Sequence, residues 1–377
     1  MPEPAHLLHV FATFCAAGPQ VRAVALMDAL GERYRHTVIA VDDRTEAAAL
    51  VRSADITTRA WAPSDGAMSG VRFARDLLHG EKPDLLLTYN WGAMDTVMAA
   101  RTMRLDRHVH HEDGFNADEA RALKGRRNWA RRVSLRSTDV VVPSKNLEGI
   151  ARRTWRIPRV HLIPNGINAS RFARDAGAGE AFRAEYGIPR DAFVIGGVGH
   201  LRPIKDFGRL VRAAAVAPLP GNESGGARAQ VVIVGDGPER SAIERVAAEC
   251  SERVEVTFTG HLTDLASAYS AFDVFCISSD SEQQPISLLE AMAAGVPVAA
   301  TDVGDVSSTL PPEARVHVVP LGPTVERDLG SALASIAGAP EKRAELAALG
   351  LARVRERYSL EAMVAAYDQV YADALKR

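Results

Sequence analysis

Short apolar runs alternate with segments of helical period from one end of this 377-residue chain to the other. A strand buried on both faces reads as a near-continuous apolar run, and parallel neighbours need a crossover long enough to hold a helix. The alternation therefore predicts parallel sheets covered by helices on both faces, an α/β fold. A first series of strands is expected at His6–Thr13, Thr37–Val41, Leu85–Thr88, His108–His111, Val140–Val142 and Val160–Ile163, with a helix over Gln20–Arg33. A second series is expected at Phe193–Val198, Gln230–Val234, Val254–Phe258, Val274–Ile277 and Val298–Ala300. The seam lies near Ile163-Pro164-Asn165-Gly166-Ile167, where Pro164 removes a ladder donor and Asn-Gly favours a turn. The length suits two such domains. Gly177-Ala178-Gly179 and Pro218–Gly226 read as inserted loops, and Pro340–Glu356 and Leu360–Leu375 as amphipathic helices.

A formal net charge of −2 gives no global field for nucleic acid. Cys15, Cys250 and Cys276 are odd in number and far apart, which argues against a disulfide framework and for a reducing compartment. The chain opens without a secretory signal, and no apolar run approaches ~18–20 residues. A cytoplasmic protein is expected.

The second series contains a chemically loaded stretch, Ser279–Gly295, SDSEQQPISLLEAMAAG. Pro285 suits a first helical turn, Ile286, Leu288, Leu289, Met292 and Ala293 form an apolar helical face, and Gly295 can close the helix in the left-handed conformation. The unit reads strand, loop, helix. It leaves Glu282 on the loop and Glu290 in the helix, with backbone amides near Gln283 and Gln284. A helix N-terminus favours a diphosphate, and an ionised carboxylate accepts hydrogen bonds from paired hydroxyls. A sugar nucleotide fits those parts, with Glu290 toward a ribose and Glu282 toward a hexose. The plainer reading is a buried helix and a solvated loop acid.

Other clusters carry paired readings. Lys205 sits where a helix begins, either meeting phosphate or simply solvated. Gly197-x-Gly199 lacks the third glycine of a dinucleotide fingerprint. Gly235-Asp236-Gly237-Pro238 follows a strand, as a close approach to ligand or as a tight turn. Gly260 also fits a loop at the sheet's carboxyl edge. Ala17-Gly18-Pro19-Gln20 follows the first strand. In His108-Val109-His110-His111-Glu112-Asp113-Gly114, strand alternation sends His108 and His110 to one face and Val109 and His111 to the other. A metal site, satisfied strand-end residues and an acceptor site all compete there. Asn90-Trp91 offers an amide and an aromatic face to a sugar, or a tryptophan capping the core. Arg121–Arg136 carries seven basic residues and no acid. It is a solvated helix face, or one lying on anionic lipid through Arg126, Arg127, Arg131 and Arg132 with Trp129 at the interface.

The pattern Ser-x-x-Glu-(two residues)-Pro-(four residues)-Glu-Ala-Met-Ala-Ala-Gly-x-Pro-Val resembles the donor site of retaining glycosyltransferases of family 4. The resemblance covers nearly the whole chain. It implies the GT-B fold: two doubly wound Rossmann-like domains, an interdomain cleft, and a C-terminal helix crossing back to the first domain. The expected acceptor domain is 1–168 plus 358–377, and the donor domain is 169–357. Tyr358, Met363, Tyr367 and Val370 would be the buried face of the last helix.

Several family positions depart from pattern. Gln283-Gln284 stands where the family has Gly-Phe, His200 where it has the arginine of Gly-Arg-Leu-x-x-x-Lys, Asn168 where the hinge has aspartate, and Gln20 where Gly-Gly-x-Glu has glutamate. Arg202 is a second candidate for the missing arginine. Carried over residue by residue, the resemblance implies a donor site of Gly18, His200, Arg202, Lys205, Gly235, Gly237, Glu282, Gln283, Gln284, Pro285, Ile286 and Glu290. It implies an acceptor site around the strand end that carries His111 and Glu112, and the strand-end reading of Asn90 and Trp91 given above would add them to it. The groups at the chemistry would be His111, Asp113, Glu282 and Lys205, with the choice among His111, Glu112 and Asp113 open.

The implied function is a metal-independent retaining hexosyltransferase without a cofactor. Asp42, Asp43 and Asp280 are then loop acids. The donor would be a UDP-sugar and the acceptor a glycan or lipid-linked glycan of cell-surface polysaccharide or glycolipid synthesis. Partners would be the sugar nucleotide and the acceptor, not nucleic acid, and, where the basic run lies on lipid rather than in solvent, the anionic inner face of the cytoplasmic membrane. Two other classes compete: a sugar-nucleotide epimerase or phosphorylase, which would turn over without acceptor, and a non-catalytic hinge-type binding protein.

Overall fold

The computed structural model of the protein describes residues 3–15, 18–63, 68–115, 124–219 and 229–377. Ala17, Arg121 and residues 220–226 of the Pro218–Gly226 stretch lie outside them, and Gly177-Ala178-Gly179, expected as an inserted loop, lies instead in the helix Ala176–Glu185. The chain divides into two compact units, Met1–Asn165 with Glu361–Arg377, and Gly166–Leu360.

The first unit is built on seven parallel strands, β1 (Ala5–Phe11), β2 (Tyr34–Ala40), β3 (Ile56–Ala60), β4 (Leu85–Tyr89), β5 (His108–His111), β6 (Asp139–Val142) and β7 (Val160–Leu162). Their order is β3-β2-β1-β4-β5-β6-β7, with all neighbours parallel. Leu7, Leu8, Val10, Leu85, Leu86 and Leu87 have no more than traces of exposed surface. Burial on both faces is what a run such as LLLTY encodes.

β3 was not among the expected strands, and the reason is visible in its sequence. ITTRA sits at the sheet edge and is exposed over four of its five residues, so it carries no apolar run. Edge strands that are short and polar resist pairing with other chains.

The last helix, Leu360–Leu375, belongs almost entirely to this first unit. Met363, Tyr367, Val370, Tyr371 and Ala374 are its buried positions. Tyr358 is corrected here: it is half-buried and packs on the core of the second unit, with Phe172, Phe275 and Leu288 in the same cluster. It lies just before the helix, on the other side of the unit boundary.

A row of rings joins this helix to the first sheet. Phe11 stacks on Tyr89 (centroids 3.8 Å apart), Tyr89 on His111 (4.3 Å), and His111 on Tyr367 (5.7 Å). His111 Nε2 also hydrogen-bonds the Tyr371 hydroxyl at 3.0 Å. At the chain end, Arg377 pairs with Asp139 on β6, and Arg33 pairs with Asp368.

The second unit has six parallel strands, β8 (Val194–Val198), β9 (Ala229–Val234), β10 (Val254–Gly260), β11 (Val274–Ile277), β12 (Val298–Thr301) and β13 (Val318–Val319). The order is β10-β9-β8-β11-β12-β13. The order reverses direction at β8 and β11, and such a switch point is where open α/β sheets bind ligands. Among the described residues, no helix is long and apolar enough to cross a membrane.

Candidate functional site

In the second unit, β11 ends at Ile277 and a loop leads to the helix Ile286–Ala293. Pro285 is its cap residue, at φ −68° and ψ 130°, one position before the first helical turn. Its ring fixes φ, and it has no N–H to leave unpaired. Gly295 follows the helix at φ +64°, the left-handed conformation that suits glycine. The first amides of the helix, at Ile286 and Ser287, have no partner within it.

Glu282 is anchored from two sides. Lys205 Nζ lies 2.5 Å from its Oε1, and Ser279 Oγ donates to the same oxygen at 2.7 Å. Lys205 ends a short 3₁₀ turn, Pro203–Lys205, just before the helix Phe207–Val216, whose cap is Asp206. Sequence distance hides the pairing, since the partners are 77 residues apart. A small recess beside them is lined by Lys205, Ser278, Ser279, Glu282 and Ser287.

Arg209 ties this loop to the neighbouring one and was not singled out in the sequence. Its guanidinium donates to the Ser278 carbonyl (2.6 Å) and Asp280 Oδ1 (2.7 Å), and pairs with Asp206 at 2.9 Å. Asp280 N donates to the Ile204 carbonyl, and Ser278 Oγ to the Lys205 carbonyl. Asp280 is therefore an ion-paired clamp. Gly304 (φ +56°) supports the loop from behind: a Cβ there would come within 2.1 Å of the Glu282 carbonyl oxygen. Asp305 N donates to the Gln283 carbonyl, and Gln283 and Gln284 are both buried.

Glu290 is only partly exposed, and its Oε2 accepts a hydrogen bond from the Tyr269 hydroxyl at 2.8 Å. Burial pushes its carboxyl up to about 7, against the lowering effects of that hydrogen bond and of the Arg171 charge. Tyr269, which reads in sequence as an ordinary core aromatic, is the missed partner here.

His200 and Arg202 are both exposed on the loop after β8. Gly235 and Gly237 have a packing explanation: a Cβ on Gly235 would meet the Gly199 carbonyl oxygen at 2.0 Å, and one on Gly237 the Leu201 backbone at 2.6 Å. Leu201 N donates to the Asp236 carbonyl. These glycines let one loop lie against the next.

In the first unit, the expected acceptor residues go elsewhere. His111 is 1% exposed and held by Tyr371, Tyr89 and the Thr88 carbonyl. Burial and the nearby Arg22 charge keep its imidazole well below the usual histidine range, hence neutral. The expectation that it faces a substrate is corrected: it docks the last helix.

Glu112 is likewise fully buried and pairs with Arg131 at 2.8 Å. Its carboxyl is held low by Arg131 and His110 in spite of burial. An ion-paired, enclosed carboxylate cannot bind an acceptor, so this assignment is corrected too. Asp113 makes a two-point ion pair with Arg22, at 2.5 and 2.9 Å, with side-chain exposures of 7% and 3%. Arg22 also donates to Asn165 Oδ1 at 3.0 Å. Asp113 is thus paired with a cation that sequence reasoning missed.

His108 and His110 both hydrogen-bond Thr88 Oγ1, on the opposite face from His111. The three imidazoles do not converge, as a metal would require. Asn90 sits at φ +57° and ψ −172°, a strained conformation for a non-glycine residue, and its Oδ1 accepts from Asp113 N at 2.7 Å. Trp91 is half-buried, with the guanidinium groups of Arg127 and Arg131 5.1 and 5.0 Å from its ring. Gly18 is exposed at the start of the helix Gly18–Leu30.

The helix Gly125–Ser134 splits the basic run into two kinds of residue. Arg126, Arg132 and Trp129 are exposed, Trp129 at 67%, and Arg127 is half-buried. Arg131 is 1% exposed, packed on Trp91, Phe115 and Trp155. Its assignment to a membrane-facing surface is therefore corrected. It turns inward because Glu112 is there to neutralise it.

Comparison with known proteins agrees with this architecture. The family model described as "Glycosyl transferases group 1" matches residues 192–337, and that described as "Glycosyltransferase Family 4" matches residues 16–171. The chain is similar to a D-inositol 3-phosphate glycosyltransferase of Saccharomonospora viridis, with 32% identity over 224 residues, 57% of this chain and 50% of the relative. It is similar to a GDP-mannose-dependent alpha-mannosyltransferase of Mycobacterium tuberculosis, with 29% identity over 255 residues, 66% of this chain and 61% of the relative. It spans about half the length of the curated relatives it matches. Among solved structures, Anabaena Alr3699/HepE in complex with UDP and glucose superimposes with a TM-score of 0.80 at 16% identity, over 98% of this chain and 99% of that one. At that identity the likeness is one of fold.

Proposed function

Because the chain belongs to the group 1 glycosyltransferases of family 4 and has the GT-B fold, we propose that it moves a hexose-type sugar from a nucleoside diphosphate to an acceptor. The observation that carries the reading is the Lys205–Glu282–Ser279 cluster beside the start of the 286–293 helix. Lys205 and the first helical amides suit a diphosphate, Glu282 suits hexose hydroxyls, and Glu290 suits a ribose diol. UDP is the nucleotide we favour, and GDP, which one relative's name carries, is the alternative.

In this reading the anomeric configuration is retained without a metal ion. The leaving diphosphate gathers negative charge as the glycosidic bond breaks, and Lys205 with the helix N-terminus stabilises it. For that, Lys205 must exchange its contact with Glu282 for one with phosphate. The acceptor is a glycan or lipid-linked glycan of cell-surface polysaccharide or glycolipid synthesis. Exposed Trp129 between Arg126 and Arg132 supports a weak hold on the anionic cytoplasmic face of the membrane. The chain would thus work in the cytoplasm, at that surface.

The test is transfer from radiolabelled UDP- and GDP-hexoses to membrane lipid extracts and soluble glycans, with and without a chelator. Acceptor-dependent release of the nucleotide supports the proposal. Turnover without any acceptor would favour an epimerase or phosphorylase, and nucleotide binding with no turnover a binding protein.

A further inference from the structure

We propose that Tyr269 is a positioning residue of the donor site, whose hydroxyl holds the Glu290 carboxylate in the orientation and acceptor state that a ribose diol requires. The inference rests on the donor reading above. Tyr269 lies on the helix Ala266–Ala271 and is fully buried. Three rings meet it at steep angles and fix its plane: Phe172 (5.9 Å, 80°), Phe272 (5.7 Å, 71°) and Phe275 (5.7 Å, 60°). A phenol so caged cannot swing away, and its buried O–H must find a partner.

Two acceptors are in reach, Glu290 Oε2 at 2.8 Å and the Ser287 carbonyl at 3.3 Å. One hydroxyl has one hydrogen, and the nearer, charged oxygen takes it. That contact fixes the carboxylate plane. It uses one lone pair of Oε2 and leaves Oε1, with the other lone pair of Oε2, for two neighbouring hydroxyls.

The contact also opposes protonation. Burial drives Glu290 toward the neutral acid, which would offer a donor where the diol needs an acceptor. The groups that face it and oppose this are Tyr269 from the 266–271 helix and Arg171 from the turn Ala169–Phe172. Arg171 is exposed, so the buried hydroxyl is the less screened of the two. Without it, Glu290 would titrate at higher pH and spend more of its time protonated at neutrality.

The experiment is calorimetry from pH 6 to 9 with UDP-glucose or GDP-mannose, whichever the wild-type protein binds, and with inorganic pyrophosphate, which has no ribose. Tyr269→Phe keeps the ring in its cage. It should weaken the sugar nucleotide about tenfold at pH 7, recover affinity as pH rises, and leave pyrophosphate unchanged. Difluorotyrosine at position 269, a stronger donor of nearly the same shape, should move the pH midpoint the opposite way. A merely structural tyrosine would lower the melting temperature without moving either midpoint. If Glu290→Gln weakens binding while Tyr269→Phe keeps the wild-type affinity and midpoint, the proposal is overturned and the donor reading stands. If Glu290→Gln also binds normally, the donor reading falls and takes the proposal with it.

Discussion

Acid should unfold the first unit well before it harms the second. His9, His36, His108 and His111 are each no more than 3% exposed. Burial lowers the pKa of all four, His36 to about 4 and His108 to about 3, helped by neighbouring histidines and, at His111, by Arg22. Each group's folded pKa therefore lies below the unfolded value near 6.5. Its contribution is complete above that value and is lost as pH falls toward the folded pKa. Between pH 7 and 5, an unfolded histidine that the fold keeps neutral gains about 1.9 kcal/mol from protonation. Four give roughly 6–8 kcal/mol, allowing for coupling between His9 and His36, whose rings share a 2.9 Å hydrogen bond. A folded domain has about 5–15 kcal/mol in all.

The assay is amide hydrogen exchange, corrected for intrinsic rates, at pH 7, 6 and 5. Peptides covering β1, β2 and β5 should lose protection steeply, with about four protons taken up per unfolding near pH 5. Peptides covering β8 to β12 should keep theirs, because the gain at Glu290, with its raised pKa, as pH falls below 7 offsets the loss at His317, the buried histidine of lowered pKa in that unit. His108→Gln should remove about one proton from the slope whatever it does to the absolute stability. Flat protection of the first unit from pH 7 to 5 would refute the reasoning.

Other outcomes follow from single contacts. Arg209→Met removes the clamp on Ser278 and Asp280, and kcat/KM should fall at least about tenfold, with donor KM rising; unchanged kinetics in a folded variant would remove Arg209 from the account. If Arg202 replaces the family arginine, Arg202→Ala should lower turnover more than His200→Ala, and the reverse ranking would assign that role to His200. Arg131→Ser should destabilise the first unit by about 3–5 kcal/mol, because Glu112 is left buried and unpaired; chemical denaturation reads this directly. Serine at Arg126, Arg127, Trp129 and Arg132 should instead abolish sedimentation with anionic vesicles while sparing transfer to a soluble acceptor. A wild-type protein that ignores such vesicles at low salt would make that helix an ordinary solvated face.

The legible part of the sequence was whatever signals through apolar runs. Interior strands such as LLLTY and VFCI announce themselves because both faces are covered. β3 and β13 do not, one being polar and at an edge, the other two residues long. The loop and helix carrying Glu282 and Glu290 were readable because cap, apolar face and terminal glycine lie within one stretch. Partners were not. Arg22 is 91 residues from Asp113, and Tyr371 is 260 from His111, so neither commitment leaves a local mark. The basic run shows the same limit: Arg131 looks like Arg132 until Glu112 is placed beneath it.

The central claim is that the second unit binds a nucleotide sugar through Lys205, Glu282 and Glu290. Calorimetric titration of the full chain with a panel of UDP- and GDP-hexoses tests it most directly. We predict one-to-one binding of at least one member, weakened by one to two decades in Glu290→Gln, as loss of a charge-assisted bond of about 1.5–3 kcal/mol requires. Glu282→Gln should lower affinity for the sugar nucleotide while leaving that for the free nucleoside diphosphate nearly unchanged. No binding by any member, or undiminished binding in both folded variants, would contradict the account.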